Sequence, residues 1–165
     1  MKASGLKNRY EKLIGFEKEI EKEAKKSESR TVCGFNVGDG PCNVCMYRDR
    51  CDSMIDSEAH RVWQMRSLLY MAYKDLEREL REFIDENEPD ENAGREVKCL
   101  LARTIRRLAA SRTVLSDERL DLARESESIF EQLYYSTGDP EYRDEAESSR
   151  SMCQRIASEN RIIEI

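Results

Sequence analysis

Apolar residues recur along this chain at intervals of three and four, the spacing that lines one face of an α-helix. Between residues 4 and 28, Leu6, Tyr10, Leu13, Ile20 and Ala24 form such a stripe, interrupted at Glu17 and surrounded by Glu and Lys. From a cap at Asp56 or Ser57 to about Glu88, the stripe is Val62, Met65, Leu69, Ala72 or Tyr73, Leu76, Leu80 and Phe83. Trp63 and Tyr70 border it and are read as core or bundle-edge side chains. The Glu88-Pro89-Asp90-Glu91-Asn92 stretch is a turn. It is followed by a helix from about Asn92 to Leu115 with Val97, Leu101, Ile105, Leu108 and Ala109 inward. Ser116-Asp117 opens a fourth helix, running to Tyr135 with Leu120, Ala123, Phe130 and Leu133 inward, and Gly138-Asp139-Pro140 ends it. The fifth, from Glu141 to about Asn160, repeats Tyr142, Ala146, Ser149, Cys153 and Ile156, which makes Cys153 a small core residue.

One segment breaks the period. Residues 30–55 contain Gly34, Gly38, Gly40 and Pro41 and read as a loop. The expected fold is therefore all-α: an elongated bundle of about five helices, with a cysteine-rich loop between the first and second. The divisions are an amphipathic helix over 1–29, the loop over 30–55 and a helical bundle over 56–165, packed as one unit.

Composition agrees with this reading. Charged residues are 38% of the 165 and hydrophobic ones 39%, with three prolines and seven glycines, a balance suited to long solvated helices. No apolar run reaches the ~20 residues of a membrane span, and Met1 to Lys12 is polar without a signal-peptide core. The expected location is the cytoplasm, with no membrane partner. In a reducing compartment, cysteines packed between 33 and 51 point to metal ligation rather than disulfides.

The ligand set is Cys33, Cys42, Cys45 and Cys51, four soft thiolates within nineteen residues, with a C-x2-C pair and glycines that let the backbone fold tightly. Zinc as a structural staple and a cubane iron-sulfur cluster use the same four donors, and spacing does not choose between them. His60, the one histidine, is an alternative ligand near the start of the second helix. The Cys42-x2-Cys45-x5-Cys51 half resembles the carboxyl-terminal cysteine cluster of iron-sulfur nucleases of the RecB type. Those nucleases also need a Glu-x-Lys on a strand; Glu23-Ala-Lys25 and Glu96-Val-Lys98 both fall in helical patterns, so nuclease activity is not carried over. No phosphate loop, dinucleotide fingerprint or nucleophile elbow is present, and the expectation is a non-catalytic protein.

Charge supplies a second candidate. The net charge is −6, yet Val97 to Ser116 holds no acidic residue, where 34 acids in 165 would place about four. The same window carries Lys98, Arg103, Arg106, Arg107 and Arg112. At ~100° per residue, Arg95, Arg103, Arg106 and Arg107 gather opposite the apolar face, with Cys99 among them. Such a stripe neutralises phosphates; alternatively, its arginines pair with acids of a neighbouring helix such as 117–131.

Tyr73-Lys-Asp-Leu-Glu-Arg-Glu-Leu, the acidic turn, Gly94-Arg-Glu-Val-Lys-Cys-Leu-Leu-Ala-Arg-Thr-Ile-Arg-Arg-Leu and Leu115-Ser-Asp-Glu-Arg resemble the helical small subunits of tailed-virus terminases over residues 60–125. Cys99 stands where that family has an Asn-Pro region, and the four-cysteine loop has no place in its pattern. The resemblance implies a non-catalytic homo-oligomer in the host cytoplasm that recognises viral duplex DNA and presents it to the ATP-hydrolysing large subunit. It makes Arg95, Lys98, Arg103, Arg106 and Arg107 candidates for DNA contact. The competing reading is a metal-stapled helical adaptor or regulator that binds protein partners.

Overall fold

The computed structural model describes residues 3–28, 48–86, 91–111 and 116–163. All regular structure among them is helical: α1 (Ala3–Glu28), α2 (Arg48–Glu86), α3 (Glu91–Ala110), α4 (Ser116–Thr137) and α5 (Pro140–Ile163). The five expected helices are present. No described helix is long and apolar enough to cross a membrane.

Two boundaries differ from the sequence reading, each for a local reason. Helix α2 begins at Arg48 rather than at Asp56 or Ser57, because neither glycine nor proline occurs between Pro41 and that cap to stop it. Cys51 consequently lies inside α2. Helix α3 ends at Ala110 rather than near Leu115. The Ser111 N–H donates to the Leu108 carbonyl at 3.0 Å, tightening the last turn. The Ala109 carbonyl, left without a helical donor, accepts from Arg119 Nε at 2.9 Å.

The α4–α5 connection follows its sequence closely. Gly138 has φ of 72° and donates to the Tyr134 carbonyl at 2.7 Å, the left-handed cap that glycine adopts without a Cβ penalty. Asp139 Oδ1 then accepts from the Glu141 N–H at 2.9 Å, capping α5 with Pro140 in its first position.

The chain divides into two compact units whose boundaries run through helices rather than between them: Leu13–Leu69, and Met1–Lys12 with Tyr70–Ile165. In the first, Ile20, Ala24, Val62 and Leu69 are buried, as their stripes require, while Trp63 is 58% and Leu68 61% exposed. Trp63 therefore lies outside the core, which leaves the bundle edge of the two positions expected for it. At ~100° per residue it stands about 100° round the helix from Val62, beside the stripe and outside it.

Among the described residues, most buried side chains lie in the second unit. Leu6 of α1, Tyr73, Leu76 and Leu80 of α2, Phe130 and Leu133 of α4, and Ala146 and Ile156 of α5 are buried. Helix α3 is buried around most of its circumference, since Cys99, Leu100, Ala102 and Thr104 join Val97, Leu101, Ile105, Leu108 and Ala109. Small residues permit close approach of its neighbours: Ser126 Oγ donates to the Ala102 carbonyl at 2.9 Å and lies 3.0 Å from Ser149 Oγ, all three helices meeting there. Both hydroxyls are fully buried and partnered.

Arg119 is also buried, its Nη1 reaching Glu159 Oε2 at 3.0 Å while Nε closes the α3 terminus. Arg119→Ala removes a charge-assisted bond to a helix-terminal carbonyl and is expected to cost about 1.5–3 kcal/mol. Urea denaturation reads this directly; a change within experimental error would show that the Ala109 carbonyl finds water instead.

Candidate functional site: the arginine face of α3

The helical repeat puts Arg103 and Arg106 one turn apart, and Glu141 and Glu145 one turn apart on α5. The two pairs meet. Arg103 Nε donates to Glu145 Oε1 at 2.9 Å and Arg103 Nη2 to Glu141 Oε1 at 2.7 Å. Arg106 donates through Nη2 to Glu145 Oε2 and through Nη1 to the Glu145 carbonyl, the latter at 3.1 Å. Its guanidinium carbon lies 5.4 Å from the centre of the Phe130 ring, a cation–π contact.

One carboxylate is thus shared by two guanidiniums, with Glu145 19%, Arg106 20% and Arg103 30% exposed. Burial pushes the Glu145 carboxyl upward, but Arg106 and Arg103 outweigh it and hold the group below the ordinary carboxylate value. It is ionised at neutral pH, and the basic face is neutralised here.

The helical wheel had grouped Cys99 with these arginines on a polar side. Instead it packs with Ala102, Phe130, Leu133 and Ala146, with Ile129 and Tyr142 alongside. The side opposite the first apolar stripe is covered by α4 and α5, and the arginines reach out from its edge to pair with acids of α5. Burial pushes the Cys99 thiol above its ordinary value, which favours the protonated form. Cys153, expected in the core, is only partly buried, its Sγ 3.9 Å from Glu127 Oε2. Partial burial and the Glu127 charge raise it likewise.

Of the other stripe residues, Lys98 and Arg107 are exposed and Arg95 is half-buried. The arginines do pair with acids of a neighbouring helix, but the helix is α5, not 117–131. The acids of α4 are engaged elsewhere: Glu118 with Lys74, Glu125 with Arg81, and Glu127 and Glu131 with Arg150. A signal for α5 exists in the sequence, since Glu141 and Glu145 flank Tyr142 and Ala146 of its buried seam and so emerge beside the contact.

Cys33, Cys42 and Cys45 lie outside the described residues, as do the side chains of Cys51 and His60. Among the described residues, no group of three or more His, Cys, Asp or Glu side chains is arranged to hold a metal ion. Searches of protein-family models, curated proteins and solved structures find no match to this chain.

Proposed function

We propose that this chain is a non-catalytic helical adaptor that binds protein partners and is stapled by a four-cysteine metal centre. The observation that carries this reading is the shared carboxylate of Glu145: Arg103 and Arg106, the centre of the supposed phosphate-binding stripe, already have an anion. Releasing them to a phosphate would strand Glu145 at a site only 19% exposed. Trp63 and Leu68 on α2 are large apolar side chains left exposed, and a second copy of the chain is the partner proposed for them.

Recognition of duplex DNA, as in a terminase small subunit presenting DNA to its large subunit, is the second reading, favoured by exposed Lys98 and Arg107 on α3. One experiment separates the two. Light scattering should give a multiple of the chain mass that falls to the monomer in the Trp63→Glu/Leu68→Glu variant, while duplex-DNA binding stays negligible at physiological salt. A wild-type protein of any oligomeric state that binds DNA with a steep salt dependence, lost in Lys98→Gln/Arg107→Gln, would overturn the adaptor reading.

The metal centre is assigned to Cys33, Cys42, Cys45 and Cys51, because four thiolates at this spacing satisfy tetrahedral zinc or a cubane iron-sulfur cluster equally. Replacing Cys42 or Cys45 with serine is expected to abolish bound metal in elemental analysis of anaerobically purified protein. Visible absorption of the wild type distinguishes the cluster from colourless zinc. Full metal content in both variants would remove the assignment.

A further inference from the structure

We draw no further inference here: the strongest candidate, the buried Cys99 thiol in the core between α3, α4 and α5, is a lone cysteine packed among apolar side chains, and nothing in the structure points to a ligand for it.

Discussion

Phe130→Ala is expected to destabilise the larger unit by about 3–5 kcal/mol, a large fraction of the 5–15 kcal/mol that ordinarily holds a domain folded. The ring is fully buried on α4 and shares a core cluster with Cys99 and Ala102 of α3 and Ala146 of α5. The α3 and α5 members of the buried cluster are small, so they have little side chain with which to fill the cavity left behind. Arg106 would also lose the ring face beneath its guanidinium, a contribution of about 0.5–1 kcal/mol. Equilibrium urea unfolding gives the comparison. Tyr135→Ala, at an 82% exposed aromatic position on the same helix, is the control and should change stability by less than about 0.5 kcal/mol. Equal effects at the two positions would mean that the α3–α4–α5 core is not the cooperative centre of this unit.

Glu145→Ala should cost about 2–4 kcal/mol, less than the ~3–5 kcal/mol of breaking a fully buried pair because both arginines retain some contact with water. Its two guanidiniums would be left facing each other and the Glu145 backbone carbonyl, with Glu141 able to serve only Arg103. Glu145→Gln keeps the shape and removes the charge, which isolates the titration. Because the folded carboxyl loses its proton more readily than the unfolded one, its contribution is fully present above the unfolded value of about pH 4.3. That contribution fades as pH falls through the lower folded value. Wild-type stability should therefore decline more steeply than that of the glutamine variant below about pH 4.3, as measured by thermal unfolding across a pH series. Parallel curves would show that the carboxylate contributes nothing through its charge, and would weaken the argument that Arg103 and Arg106 are unavailable to phosphates.

An acid-free window from Val97 to Ser116 was a real property of the chain, but charge along one helix does not reveal what the next helix places against it. Here α5 supplies Glu141 and Glu145, and α4 directs its own acids to Lys74, Arg81 and Arg150. At Arg103 and Arg106 the local basicity belongs to an ion-pair network with α5.

Much of the architecture was legible in the residues themselves. Five helices, the caps around Gly138-Asp139-Pro140 and the buried stripes through Val62–Leu80 and Val97–Ala109 follow from 3.6-residue periodicity and from the backbone preferences of glycine, proline and aspartate, which act within a few residues. The cysteine spacing likewise names a candidate metal set without reference to any fold. The tertiary structure alone decided which side of a helix counts as surface. Cys99 is core because α4 and α5 cover a second face of α3, Trp63 is exposed because it projects beside the stripe that packs, and α3 stops at Ala110 with the Ala109 carbonyl completed by Arg119 of the following helix. Periodicity reports the direction in which a side chain points from its own axis; which neighbour lies in that direction is set by packing between segments distant in sequence.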